Sequence, residues 1–224
     1  MPPALLFDLD GTLVDSIELI LQSARHAFIG FDGHAPSDDE WRAGIGRPLQ
    51  SVLLEYAPDD TEAARLLARY REYQLEHHDR MLRAYDGIPG VLRDFATRGH
   101  PMALVTSKSD WLARRALELV GVESLFSALV GCDSCENFKP HPEPVQRALA
   151  LLGVSPSDAL FIGDSPHDVE SGNAAGVYTV GVTWGAFTRE EMERSGADVV
   201  IHRVIDLPAV VGNFRSNGTR VQTF

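Results

Sequence analysis

Four short apolar runs punctuate the chain, and each leads toward a reactive polar residue. Ala4-Leu5-Leu6-Phe7 runs into Asp8, Met102-Ala103-Leu104-Val105 into Thr106, and Ala159-Leu160-Phe161-Ile162, with Gly163, into Asp164. The fourth, Ala128-Leu129-Val130, leads through a loop to Lys139. Short runs unbroken by polar positions predict strands buried on both faces, as in a parallel sheet. Helical spacing fills the intervals. Leu112 to Val120 stops at Gly121, Pro144 to Leu152 stops at Gly153, and the segment after Asp168 runs to Gly176. A glycine just past a helix supplies the left-handed residue that ends it. Strand alternating with helix predicts an α/β fold, a doubly wound (Rossmann-like) parallel sheet. Ligands of such folds bind beyond the carboxyl ends of the strands, where these polar residues fall.

The segment from Asp15 to about Arg83 breaks the rhythm. Asp15-Ser16-Ile17-Glu18 reads as a capping box with Asp15 as N-cap, followed by helical spacing at Leu19, Ile20, Ala24 and Ala27. Thr61 to His78 is a second long amphipathic pattern, and Ile45-Gly46-Arg47-Pro48-Leu49 between them is a turn that displays an arginine. His77-His78 reads as a solvated helix face, because adjacent helical positions point in different directions. The expected organisation is a core domain from residues 1–15 and 84–212 and an inserted all-helical cap domain over 16–83. The sheet is expected to resume around Tyr85 to Gly90, and a polar, aperiodic tail to occupy 213–224.

Composition narrows the classes. The 224 residues are 44% hydrophobic with a mean hydropathy of −0.09, an ordinary globule with a real core. A net charge of −12 argues against nucleic acid or an anionic membrane as the main partner. No basic, apolar leader opens the chain and no run approaches the ~20 residues of a membrane span, so a cytoplasmic location is expected. The two cysteines, Cys132 and Cys135, form a CxxC without a second ligand pair and read as reduced thiols in a loop.

Four motifs occur in order at or just beyond the strand ends: DLDGT (Asp8 to Thr12), VTSK (Val105 to Lys108), KPHP (Lys139 to Pro142) and GDSPHD (Gly163 to Asp168). Together they resemble the haloacid dehalogenase-like hydrolase superfamily, over essentially the whole chain to about Leu207. The subgroup resembled carries a helical cap between the first and second motifs, as phosphoglycolate phosphatases and β-phosphoglucomutases do. Dehalogenases lack an acid at the position of Asp10, because a halide leaves without a proton, so Asp10 points to phosphoryl transfer. Phosphonatases use a cap lysine, and the segment from Asp15 to Arg83 contains none.

Two aspartates on one tight turn repel unless a cation sits between them, and magnesium is the natural partner of carboxylate oxygens. A phosphate ester is already anionic, so its cleavage needs that cation, a placed nucleophile, an acid and donors for the equatorial oxygens. The resemblance implies Mg2+ held by Asp8, Asp164 and the backbone carbonyl of Asp10. It also implies Asp8 as nucleophile, Asp10 as acid and then base, Thr106 as a phosphoryl donor and Lys139 as the neutralising charge. Asp168 supports the metal shell or orients Lys139, although an aspartate after a strand is also an ordinary N-cap. Ser107, like Thr106, could equally cap the following helix. Gly11 and Thr12 turn the chain so that both carboxylates face one point.

Substrate choice is expected to lie with the cap. There Arg47 is the candidate for a carboxylate or second phosphate, against its alternative as a solvated arginine. The expected partner is a small phosphorylated metabolite: a phosphoglycolate-like monoester first, with pyrophosphate, sugar phosphates or mutase chemistry following. A monomer or homodimer is expected. The rival from another class is a receiver-like signalling module that accepts a phosphoryl group once; it needs neither a second acid nor a cap.

Overall fold

The computed structural model describes residues 2–214. Its main sheet has six strands, all parallel: β1 (Ala4–Phe7), β4 (Met102–Val105), β5 (Ala128–Val130), β6 (Ala159–Gly163), β7 (Tyr178–Val182) and β8 (Val199–Ile201). The order is β5-β4-β1-β6-β7-β8. The apolar runs alternate between two cores. Leu5, Phe7, Leu104, Leu160 and Ile162 pack on one face, while Leu6, Ala103, Val105 and Phe161 pack on the other. Covering both faces is what leaves no polar position inside these strands. The two strands beyond β6 had no counterpart among the apolar runs: β7 mixes Thr179 and Gly181 into its sequence, and β8 has three residues.

Helices α5 (Ile88–Thr97), α6 (Asp110–Leu119), α7 (Glu143–Leu152) and α8 (Pro166–Ala175) connect the strands. Past their ends Gly121, Gly153 and Gly176 take φ of 69°, 67° and 79°, the left-handed turn expected of them. The chain closes with α9 (Arg189–Arg194) and α10 (Leu207–Asn213). Asn213 therefore belongs to a helix rather than a tail, and Phe214 packs edge-on against Tyr178 at 5.4 Å. The remainder of the expected tail lies outside the described residues.

Between β1 and α5 stand four helices: α1 (Ile17–Ala27), α2 (Asp38–Ala43), α3 (Leu49–Leu54) and α4 (Asp60–Met81). They are bracketed by a two-stranded antiparallel ribbon of β2 (Val14–Asp15) and β3 (Arg83–Ala84), which the sequence pattern did not reveal because each strand has two residues. The ribbon corrects two expectations. Asp15 pairs with Arg83 instead of capping α1, whose N-cap is Ser16, without a side-chain cap bond. After Ala84 the chain turns through Gly87 (φ 88°) into α5 with Pro89 in its first turn, so the main sheet resumes only at Met102. A third correction concerns His78. It is fully buried, with Nδ1 2.7 Å from Asp79 Oδ1, while His77 stacks on Tyr73 with centroids 3.9 Å apart.

The four helices bury Leu21, Phe28, Trp41, Leu53 and Tyr70 against one another and reach Val169, Ala186, Phe187 and Met192 beyond the sheet. No helix among the described residues is long and apolar enough to cross a membrane.

Candidate active site

Strand order sets the site. β1 is central, and the chain crosses to β4 on one side and to β6 on the other, so the residues after these three strands lie side by side at the carboxyl end of the sheet. Asp8 N donates to the Ile162 carbonyl at 2.9 Å and Thr106 N to that of Val130 at 2.9 Å, extending the ladder to the candidate residues themselves.

Asp8, Asp164 and Asp168 are buried, and each brings one carboxylate oxygen within 4.8 Å of the others. Lys139 Nζ lies between two of them, donating to Asp8 Oδ1 at 2.7 Å and Asp168 Oδ1 at 2.6 Å. Asp164 is held by Thr12 Oγ1 at 3.0 Å and by the Ala186 backbone N–H at 2.7 Å. Gly11 makes this approach possible: its φ is 86°, and a Cβ there would stand 2.2 Å from Asp164 Oδ2. Gly185 is equally tight, with a virtual Cβ 2.5 Å from Asp164 Cβ. Asp168 serves two roles at once. One oxygen receives Lys139, and the other closes the α8 capping box by accepting from Ser165 N at 3.0 Å and Ser165 Oγ at 2.7 Å.

Asp10 has its own set of partners. Its carboxylate receives Lys108 Nζ on both oxygens, at 2.9 and 2.7 Å, and Ser16 Oγ at 2.6 Å. Neither Thr106 nor Ser107 caps α6, whose N-cap is Ser109. Thr106 Oγ1 accepts from Lys108 N at 3.2 Å. Ser107 Oγ donates to the Gly46 carbonyl at 2.6 Å and ties the strand end to the Ile45–Leu49 turn. In that turn Arg47 is half-buried and bonds Glu55.

The electrostatics separate the two halves. Burial, only partly offset by Lys139, pushes Asp8 up to about 7. Burial, with the charges of Asp8 and Asp168, raises Asp164 well above the usual carboxylate range. Burial also opposes ionisation of Asp10, but the charge and hydrogen bonds of Lys108, with Ser16, win and hold it below that range. Burial would strip the proton from Lys139, yet Asp168 and Asp8 hold it there more firmly than usual. Asp8, Asp164 and Asp168 thus share a single ammonium, that of Lys139, so ionising all three leaves negative charge uncompensated in a buried cluster of hard oxygen donors, which is why Asp8 and Asp164 hold their protons. That donor set fits a divalent, oxygen-seeking cation.

A cavity of about 520 Å³ opens from Asp8, Asp10, Thr106 and Lys108 toward α3, α4 and the Ile45–Leu49 turn, with Arg47 in its wall. Residues 5–182 match the family model described as haloacid dehalogenase-like hydrolase. The chain belongs to this family. Among the relatives of this haloacid dehalogenase-like hydrolase is the pyrophosphatase PpaX of Bacillus pumilus (strain SAFR-032). It is 36% identical over 207 residues, which cover 92% of this chain and 95% of the relative. The pyrophosphatase PpaX of Oceanobacillus iheyensis is 32% identical, covering 93% of this chain and 96% of its own. A solved structure from Haemophilus somnus, described as a predicted phosphoglycolate phosphatase, matches with a TM-score of 0.84 at 25% identity, over 93% of this chain and 97% of that one. A predicted phosphatase from Clostridium acetobutylicum matches at 0.83 and 28% identity, over 94% and 98%. This haloacid dehalogenase-like hydrolase is an enzyme of the phosphatase class.

Three contributors of this haloacid dehalogenase-like site carry no signal in the sequence pattern. Lys108 closes the VTSK motif, but nothing local says that it reaches Asp10, 98 positions earlier. Ser16 has the look of a helix start. The Ala186 amide carries no side-chain signature, and only the paired glycine at 185 hints at a close approach.

Proposed function

We propose that this protein is a Mg2+-dependent phosphatase that cleaves a small phosphorylated anion through an aspartyl-phosphate on Asp8, with α1–α4 serving as the cap. The observation carrying this reading is the buried cluster of Asp8, Asp164, Asp168 and Lys139, drawn from the first, third and fourth motifs, beside a separately held Asp10. Magnesium held by Asp8, Asp164 and the Asp10 backbone carbonyl would neutralise charge on the transferring phosphoryl group.

The chain's own residues supply the rest. An Asp8 oxygen attacks phosphorus as the bond to the leaving oxygen breaks, and Asp10 gives that oxygen its proton. Water then attacks the same phosphorus, the bond to Asp8 breaks, and Asp10 takes the water's proton. As placed, with Lys108 on both oxygens, Asp10 is poised for the second half. An incoming phosphate that draws Lys108 away would raise Asp10's affinity for the proton required in the first half. Thr106 donates to a phosphoryl oxygen, and Lys139 keeps Asp8 oriented. Arg47 must leave Glu55 to meet a substrate anion.

A phosphoglycolate-like monoester is the first substrate class. Pyrophosphate is the second reading, favoured by relatives at 36% and 32% identity that bear that activity in their names. Repeated turnover of p-nitrophenyl phosphate that requires Mg2+ is the deciding experiment; a single stoichiometric phosphorylation would instead support a receiver-like switch.

Two further outcomes test the arrangement. Gly185→Ala drives a methyl into Asp164, so Mg2+-dependent turnover should fall about 10²-fold, as expected for displacement of a metal ligand by an ångström. Melting curves should show the cation directly. Because folding raises the Asp8 and Asp164 pKa values, the metal-free protein loses stability as pH rises from about 4 toward about 7. Mg2+ competes with those protons, so its shift in Tm should be larger at about pH 8 than at about pH 5. An equal shift at both values would count against carboxylate ligands.

A further inference from the structure

The cavity has a second polar wall that none of the four motifs contains. Tyr70, Arg71 and Gln74 lie on α4 at positions i, i+1 and i+4, and all three line the cavity. Tyr70 and Gln74 stack one turn apart on the buried side of the helix, with relative exposures of 3% and 6%. The Tyr70 ring packs against Trp41 at 5.9 Å, which fixes its direction. Yet neither its hydroxyl nor the Gln74 amide is hydrogen-bonded to any described residue.

Buried polar groups are nearly always satisfied. Among the described residues only His78 Nε2 and His167 Nδ1 are side-chain polar atoms sealed from solvent without a partner. The Tyr70 and Gln74 polar ends therefore keep an opening, and the cavity they line provides it. Arg71 likewise forms no ion pair among the described residues. By contrast, the other cationic groups of this wall are engaged: Lys108 with Asp10, and Arg47 with Glu55. Phenol, carboxamide and guanidinium all donate hydrogen bonds, and one of them carries a positive charge.

We propose that Gln74, with Tyr70 and Arg71, forms a subsite for the non-transferred end of the substrate, and that this end is an oxygen-rich anion, a carboxylate or a second phosphoryl group. The assignment rests on the phosphatase reading and adds to it the residues that select among phosphate compounds. Water fills these donors' valences in the free protein, and the anion replaces it. Specificity follows, because a substrate lacking the anion forgoes these contacts and leaves the buried Tyr70 and Gln74 ends only what water remains in the occupied cavity.

The test compares wild type, Gln74→Met and Arg71→Met on pyrophosphate, 2-phosphoglycolate and p-nitrophenyl phosphate, all with Mg2+. The expected result is a rise in KM about tenfold greater for the anionic substrates than for p-nitrophenyl phosphate. The anionic compound that suffers more identifies the group the subsite reads. Gln74→Met should melt at or above the wild-type temperature, since it removes an amide with no protein partner; a group retained for structure would lower it. Equal losses on all three substrates, losses confined to kcat, or a lowered Tm that accounts for them would overturn the subsite. Wild-type turnover of p-nitrophenyl phosphate with neither anionic compound hydrolysed would overturn it too. In each of these outcomes that turnover leaves the phosphatase reading standing.

Discussion

Asp8→Asn is expected to remove turnover, by a factor on the order of 10⁴ or more, while leaving the fold intact. An amide nitrogen or oxygen at this position cannot form the acyl phosphate that divides the reaction into two steps. Structure survives because Lys139 keeps Asp168 as a partner at 2.6 Å, so no ammonium is stranded. The metal-free variant should melt at or above the wild-type temperature near neutral pH. Asp8 is raised to about 7 by burial, so its ionisation opposes folding as pH climbs, and asparagine removes that cost. The Mg2+-induced shift in Tm should shrink in parallel, since one of the carboxylate ligands is gone. Kinetics and melts together separate the roles: activity above about one per cent in a clean preparation sinks Asp8 as nucleophile.

What is legible in the sequence follows from where the physics is local. Asp8, Thr106 and Asp164 each terminate an unbroken apolar run, and a run that short between helices fits a buried strand of a doubly wound sheet and little else. Strand ends converge in such sheets whatever the loops do, so the meeting of these three required no knowledge of distance. Lys139 follows no strand directly, and only its motif singled it out. The pairings of Lys108 with Asp10, Ser16 with Asp10 and the Ala186 amide with Asp164 depend on how far side chains reach across loops, which periodicity does not encode. His78 shows the opposite failure. Glu76, Asp79 and Arg80 beside it are charged, yet the helix turns this one imidazole fully inward, where burial outweighs Asp79 and holds its pKa below the usual range.

The ribbon of Val14–Asp15 and Arg83–Ala84 shows how a local rule can hold and still mislead. Asp15 and Glu18 have capping-box spacing, but Asp15 is claimed by pairing with Arg83, and Ser16 turns its hydroxyl to Asp10. Both connections to the helical segment thus pass beside the residue proposed as acid and base. Any movement of the helices relative to the sheet would pivot next to Asp10.

The second large effect is expected at Lys139. Lys139→Met keeps the stem that lies near Phe161 and removes the ammonium, whose nitrogen sits 5.9 Å from that ring's centroid. Asp8 and Asp168 are left buried and facing each other. Removing one partner of a buried pair costs about 3–5 kcal/mol when the remaining charge is uncompensated. Here the loss has a pH signature. Without Lys139, Asp8 loses the charge that partly offsets its burial and binds its proton still more tightly in the folded state than in the unfolded one, so the variant holds most of its stability at acid pH and loses it as pH rises. The gap in Tm between wild type and variant should therefore be wider at about pH 8 than at about pH 5, and Mg2+ should narrow it at the higher value by supplying the missing charge. Turnover should nevertheless stay at least about 10²-fold down with Mg2+ saturating, because a metal restores charge but does not hold the Asp8 oxygen from Lys139's direction. A uniform drop in Tm at both pH values, insensitive to Mg2+, would mean that Lys139 contributes packing rather than charge and would remove the electrostatic basis of the site.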